Sequence, residues 1–439
     1  LPKMMKSEMI TETPQKALLP FSLPLLAGSI FQNLYNVFDS MIVGQMLGKE
    51  ALSAVGNSYV PMLIVNSVLL GVSSGISILV SQCYGAQKQV DAQECIGTVH
   101  AITTIVGFGL SILALISGYG IFRAMNIPEN ILETATSYWR MIAVGIPCSA
   151  IYNFYSAIIR AKGNSKFPVQ NIGISCVLNI LLDLLFVGAL GMGVLGAAAA
   201  TVISQSITAG VTIIYLYHFD KAFFVVHPNL HRVLPILKLS ITGIIQNSAS
   251  AVSMFFIQGL INQYGVNAIS AYTSAYKIES ILTIPAVNLG TALSVFVGQN
   301  VGAKQLKRTQ EGVRASFKIA FFICIITISV IWIFAPTFMF LLVGNEKAVI
   351  EIGVKYLHII SFTFPFCVSL YLLTNFLRGA GEVAYPLFNT ILELSVRTIL
   401  AFYLNDCIGF IGILLCRPIS FVISTISLSY RYFSEKWQR

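Results

Sequence analysis

The chain has 439 residues, a formal charge of +9, 56% apolar residues and only 10% charged ones, with a mean hydropathy of +0.79. Soluble domains carry about one-quarter charged residues, so a water-soluble fold of this length is excluded, and runs of the ~20 apolar residues that cross a bilayer recur from one end to the other. The basic residues are spread over short loops between those runs rather than gathered in one patch, which is the distribution of a membrane protein and not of a nucleic-acid binder.

In chain order, Lys3 and Lys6 precede the first apolar run without the short apolar core and cleavage site of a signal peptide, so a retained cytoplasmic tail is expected. Spans follow near residues 17–47, 51–83, 96–122, 131–160, 167–189 and 194–217. After a polar linker at 218–233, six more are expected near 234–261, 268–300, 313–342, 349–378, 385–404 and 408–433. The predicted fold is an all-α membrane protein of twelve transmembrane helices in two pseudo-symmetric six-helix lobes, residues 1–217 and 234–439. With the N-terminus inside, about nineteen lysines and arginines fall on the cytoplasmic side against about five opposite, so both termini are expected to be cytoplasmic. The eight cysteines lie singly, mostly in apolar runs, and read as small buried hydrophobes.

The two halves repeat each other. Gln32 and Asn33 open a stretch that reaches "SQCYGAQK", and Gln246 and Asn247 open one that reaches "GQNVGAKQ". Farther on, Tyr138, Pro147, Arg160, Gly163 and Pro168 find Tyr356, Pro365, Arg378, Gly381 and Pro386, each 218 positions later. An even number of spans per copy makes these parallel repeats, an arrangement that places a substrate cavity between two lobes able to rock.

Ionisable groups inside hydrocarbon are costly and so are functional candidates. Four acids fall within predicted spans: Asp39, Asp183, Glu279 and Glu393. Asp39 has no acidic counterpart near Ser253, so the lobes are expected to be specialised. A carboxyl there, desolvated and near another acid, is expected to exchange protons near neutral pH, although a neutral aspartic acid tying helices together is the alternative. Asp183 follows Asn179 by four residues, which puts both on one helix face; an amide beside a carboxyl serves a proton, a cation such as Na⁺, or simple helix packing. Glu393 and Arg397 are also one turn apart, and there self-neutralisation within the span is the better reading than ion coupling. Lys277 and Glu279 do not share a face, so their partners are expected on other spans.

Pro24 lies fifteen residues before Asp39 on one helix, about 22 Å at 1.5 Å per residue, and a bend there could relay the state of Asp39. Tyr35, Phe38, Met41, Phe154, Met254 and Phe255 are candidates for an adaptable, greasy cavity near the expected lobe interface, able to hold organic cations by cation–π attraction; lipid-facing packing is the alternative for each. His227 and His231 have metal-ligand spacing, but Pro228 intervenes and no third ligand is near, so no metal is expected.

The segments "LPLLAGSIFQNLYNVFDSMIVGQMLGKEALSAVG", "SQCYGAQK", "AIIRAKGNSKFPV" and "NILLDLLFVGALGMGVLGAAAATVISQ", with "FLRGAGEVAYP" as a later echo, resemble the multidrug and toxic compound extrusion (MATE) family over essentially the whole chain, most closely its DNA-damage-inducible F type. The resemblance implies a V-shaped pair of six-helix lobes in a prokaryotic plasma membrane, monomeric, free of cofactors, and exporting cationic amphipathic compounds in exchange for H⁺ or Na⁺. It further implies an ion-handling network of Asp39, Asn179, Asp183, Thr201, Tyr138 and Asn153, with Pro24 at the helix bend. The seventh span, 234–261, lacks the acid that the norfloxacin-exporting type carries there, which favours an N-lobe mechanism and leaves Glu279, Glu393 and Arg397 without an implied role. Two other readings stay open: a lipid-linked oligosaccharide flippase, which calls for several cavity arginines, and an intramembrane aspartyl protease, which calls for a G-x-G-D setting that neither aspartate has.

Overall fold

The computed structural model describes residues 8–87, 89–125, 127, 129–219 and 229–438, and among them there is no strand. Within a bilayer core no water satisfies backbone N–H and C=O groups, so an apolar chain of this kind closes its hydrogen bonds inside helices. Twelve long helices result: α1 (Pro14–Asn57), α2 (Tyr59–Gly85), α3 (Gln89–Ala124), α4 (Glu129–Ala161), α5 (Lys166–Asp183), α6 (Gly193–Phe219), α7 (Leu230–Ile261), α8 (Gly265–Gly302), α9 (Leu306–Val343), α10 (Lys347–Gly379), α11 (Ala384–Ile408) and α12 (Phe410–Phe433). A short helix, Glu8–Thr11, precedes them. Large apolar side chains such as Ile116, 77% exposed, face outward. On a soluble protein such a surface would aggregate; in lipid it is the wetted face.

Two spans end at glycine breaks, close to the ends expected at 47 and 261. Residues Val233–Gly302 form one apolar run of 70 residues, yet α7 stops at Ile261, passes through a single 3-10 turn, Asn262–Tyr264, and restarts at Gly265 with φ 83° and ψ 177°. In the first half, α1 breaks at Gly48 with φ 84° and ψ −173°, 217 positions earlier. Side chains are excluded from that region of backbone space, so both breaks require glycine. The break also corrects the second expected span: residues after Gly48 continue as helix to Asn57, and the membrane-length helix starts at Tyr59 rather than at residue 51.

The chain divides into two compact units, one of Leu23–Ile244 and one of Glu8–Ser22 with Ile245–Arg439, so that the boundary falls inside α7. Each unit repeats the packing of the other: α2, α3 and α4 pack mutually and α4 packs on α6 in the first, as α8, α9, α10 and α12 do in the second, while α5 lies on α6 and α11 on α12. Positive-φ positions recur 217 or 218 residues later, Gln87 with Lys304, Gly163 with Gly381 and Gly191 with Gly409. The six-span duplication is thus written in the backbone as well as in the sequence.

In the first unit Ile76, Phe122, Trp139, Phe154 and Ile158 form the centre of an apolar core, and the Trp139 indole donates to the Ala114 carbonyl at 2.8 Å, tying α3 to α4. Gly75 lets α2 approach α7: a Cβ there would lie 2.5 Å from Ser240 Oγ and 2.9 Å from the Ile236 carbonyl oxygen. Asn164 accepts from the backbone N–H groups of Lys166 at 3.1 Å and Phe167 at 3.2 Å, which caps the start of α5. In the second unit Met339, Tyr356, Leu357, Ala401 and Ile413 are central. The cysteines do not all lie singly: α2 and α3 form a tight hairpin that brings Cys83 Sγ and Cys95 Sγ to 3.5 Å.

One element departs from the expected uniform helix over 167–189. After Asp183, α5 continues as a π-helix, Leu184–Ala189, with the Leu190 N–H bonded five residues back to the Leu185 carbonyl at 2.8 Å. Widened turns of this kind concentrate at functional sites. The equivalent stretch of the second unit is unbroken α-helix, α11.

Candidate functional site

The first unit encloses a cavity of about 480 Å³ between α1, α2, α4, α5 and α6. Its wall mixes apolar side chains with uncharged polar ones: Gln32, Tyr35, Asn66, Tyr138, Ser149, Asn153, Thr201 and Gln205 line it together with Asp39, and no lysine, arginine or histidine does so among the described residues. Asp39 is 9% exposed. One turn earlier on the same face of α1 is Tyr35, whose hydroxyl meets Thr201 Oγ1 on α6 at 3.1 Å.

Behind Thr201 lies the second acid. Asp183 is wholly buried at the junction of α-helix and π-helix. An amide has one donor end and one acceptor end, and Asn179 satisfies both in only one orientation: its nitrogen donates to Asp183 Oδ2 at 2.9 Å and its oxygen accepts from the Thr201 backbone N–H at 3.2 Å. Thr201 thus stands between the two acids, its hydroxyl meeting Tyr35 and its backbone N–H bonded to Asn179, which holds Asp183. Asp39, Tyr35 and Asp183 are within electrostatic reach of one another. Each carboxyl also keeps one buried oxygen, Asp39 Oδ1 and Asp183 Oδ1, without a hydrogen-bond partner among the described residues.

The remaining first-unit candidates distribute as follows. Tyr138 is buried and lines the cavity, as does Asn153, whose amide donates to the Ser149 carbonyl at 2.8 Å while the Ser149 hydroxyl donates to Gln205 Oε1 at 2.8 Å. Phe154 is corrected: it is fully buried in the apolar core and does not line this cavity, because its face of α4 is turned into the first unit's interior. Phe38 and Met41 are exposed on α1 and Met254 on α7, none of them on the wall of this cavity. The side chain of Phe255 and all of His227 lie outside the described residues, and no cluster of three potential metal ligands occurs among those described. α1 is helical at Pro24, and its one non-helical backbone position among the described residues is Gly48.

The second unit is built differently at the equivalent places. Glu393 and Arg397 pair at 3.6 Å on α11, the Ser420 hydroxyl donates to Glu393 Oε1 at 3.2 Å, and Arg397 Nε donates to Ser253 Oγ at 3.1 Å. Ser253 is the counterpart of Asp39, and Arg397 stands 218 positions after Asn179. Glu279 has its partner on another span, as its spacing from Lys277 implies: Arg417 Nη1 on α12 approaches Glu279 Oε2 at 2.9 Å, and the Tyr356 hydroxyl donates to the same oxygen at 2.6 Å. Arg417 also lies over the rings of Tyr276 and Phe421, 5.1 and 5.3 Å from their centroids. Sequence reading missed Arg417; a lone arginine inside an apolar span, in "LLCRPIS", was the available signal. Two acids and two guanidiniums cancel in the second unit, whereas the first unit's acids have no cationic side chain in the cavity wall.

Duplicated bundles of apolar helices, with an acidic cavity buried among the spans of one of them, define a polytopic membrane transporter. The MatE family model matches residues 24–185 and again 239–403, once in each half, and the chain belongs to that family. It is 30% identical over 426 residues to the probable multidrug resistance protein YpnP of Bacillus subtilis, covering 96% of both chains. With the probable multidrug resistance protein YoeA of the same organism it shares 28% over 435 residues, covering 95% of this chain and 93% of that one. The solved outward-facing conformation of a multidrug resistance MATE family transporter matches its fold with a TM-score of 0.90 at 23% identity, over 99% of this chain and 100% of that one.

Proposed function

We propose that this multidrug efflux transporter of the MatE family is an antiporter that exports cationic, amphipathic compounds in exchange for H⁺ or Na⁺, with the first unit as the coupling element. The observation that carries the reading is the first unit's cavity, in which, among the described residues, Asp39 is the only carboxylate on the wall, no basic side chain accompanies it, and Thr201 and Asn179 lie between its neighbour Tyr35 and Asp183. An organic cation fits a cavity whose single charge is negative and whose wall carries aromatic rings, Tyr35, Tyr138 and Trp139 among them. A proton or Na⁺ on either carboxylate removes that attraction, so ion and substrate bind at each other's expense, which is the condition for coupled export.

The orientation that agrees with the lysine and arginine distribution has both termini in the cytoplasm of a prokaryotic cell. A pyrophosphate-carrying lipid as substrate is disfavoured by a wall without lysine or arginine. The test is dye efflux from proteoliposomes carrying the full chain, with a pH gradient alone and a Na⁺ gradient alone. Cationic dye leaving under one of the two supports the reading and names the ion; movement of cationic dye under neither, or equal transport of neutral and cationic dyes, contradicts it.

A further inference from the structure

A groove of about 720 Å³ opens on the second unit between α9, α10 and α12, and none of the acids discussed above lines it. Leu373 and Phe321 supply an apolar wall, Ser429 and Tyr432 supply hydroxyls, and Arg314 and Lys318 are its cations; no acidic residue lines it. Arg314 and Lys318 are one turn apart on α9, exposed, and in no ion pair among the described residues. Their depth follows from the sequence. Lys318 is the last charged residue of α9 before residues 319–343, an uninterrupted uncharged run of the length that crosses a bilayer core. Both cations therefore stand at the headgroup boundary, with the apolar wall extending from them toward the hydrocarbon.

We propose that this groove is a docking site for an anionic phospholipid, with the phosphate held between Arg314 and Lys318 and the upper acyl chain laid along Phe321 and Leu373. Charge decides the occupant: two unpaired cations beside a hydroxyl-bearing rim attract an anionic headgroup and repel the cationic compounds assigned to the first unit. The concave apolar wall distinguishes a lipid from a free phosphate, which has no use for it. Paired basic side chains in a pocket between helices are a recognised form of headgroup site. The inference rests on the chain's being membrane-spanning and is independent of the antiport reading.

The test uses the purified full chain in a neutral detergent, with phosphatidylglycerol and phosphatidylcholine titrated in turn and bound lipid counted by native mass spectrometry. The expected result is saturable retention of phosphatidylglycerol over phosphatidylcholine, weakened at least about tenfold in the R314Q/K318Q variant. The charge-preserving R314K variant is expected to retain the lipid, which separates loss of the site from loss of the fold, and glycerol 3-phosphate is expected not to compete. Equal retention of both lipids by the native protein, retention of phosphatidylglycerol by R314Q/K318Q, or displacement by glycerol 3-phosphate each overturns the proposal.

Discussion

Asn179 holds Asp183 by a 2.9 Å hydrogen bond across one turn of α5, and 218 positions later its place is taken by Arg397, which turns back on Glu393 at 3.6 Å. One duplicated helix thus carries an amide that leaves its neighbouring carboxylate available, and the other carries a guanidinium that occupies its neighbour permanently. That difference makes the two units chemically unequal on a shared backbone plan, with an unpaired acid in the first and a fastened ion pair in the second.

Replacing the Tyr35 hydroxyl tests the connection between the two acids. Y35F removes the 3.1 Å contact with Thr201 while keeping the ring in the cavity wall. A net hydrogen bond contributes about 1 kcal/mol, so initial rates of gradient-driven dye efflux in vesicles are expected to fall by about fivefold with expression unchanged. A rate equal to that of the native protein would show that the Tyr35–Thr201 contact plays no part.

Arg417 fastens α12 to α8 through Glu279, which is nearly fully buried. R417M strands that carboxylate, and removing one member of a buried pair costs about 3–5 kcal/mol. The thermal midpoint in detergent should drop by many degrees, and the R417M/E279Q double variant should recover most of the loss. A double variant as unstable as the single would mean that packing rather than charge is responsible.

Gly48 and Gly265 share one backbone conformation in the two units, with φ 84° and 83°. G48A and G265A are each expected to destabilise the protein by roughly 1–3 kcal/mol, because that region is essentially closed to side chains. A thermal scan in which either substitution is neutral would be inconsistent with these backbone angles.

G75L places a side chain where α2 meets α7, starting with a Cβ only 2.5 Å from Ser240 Oγ. Overpacking of this order costs about 1–3 kcal/mol, and the expected result is a lowered yield of monodisperse protein on size-exclusion chromatography. An unchanged yield would require α2 and α7 to separate freely.

Much of this molecule is legible in its residues, and the parts that are not fail for identifiable reasons. Span number follows from apolar length together with the polar and glycine breaks that divide the apolar runs. The break at Gly265 lies in an apolar stretch of 70 residues, yet Asn262, Gln263 and Tyr264 before the glycine mark it, and the expected span ends at 261 accordingly. The i,i+4 spacing of Asn179 and Asp183 foretells their shared face, but nothing in "LLFVGA" announces the π-helix that follows. Glu279 was recognisable as needing a distant partner, yet spacing cannot say that Arg417, 138 residues away, supplies it. Phe154 shows the other limit: a helix buried over most of its surface has no amphipathic stripe from which to read which aromatic faces a cavity and which fills a core.

The account depends on the negative charge of Asp39 drawing an organic cation into the first unit's cavity. The most direct measurement is efflux of a cationic dye from vesicles containing the D39N variant, run beside the native chain under whichever ion gradient drives it. Loss of gradient-driven efflux by at least about tenfold, with the D39N protein inserted at native levels, is the predicted result. Undiminished efflux would contradict it.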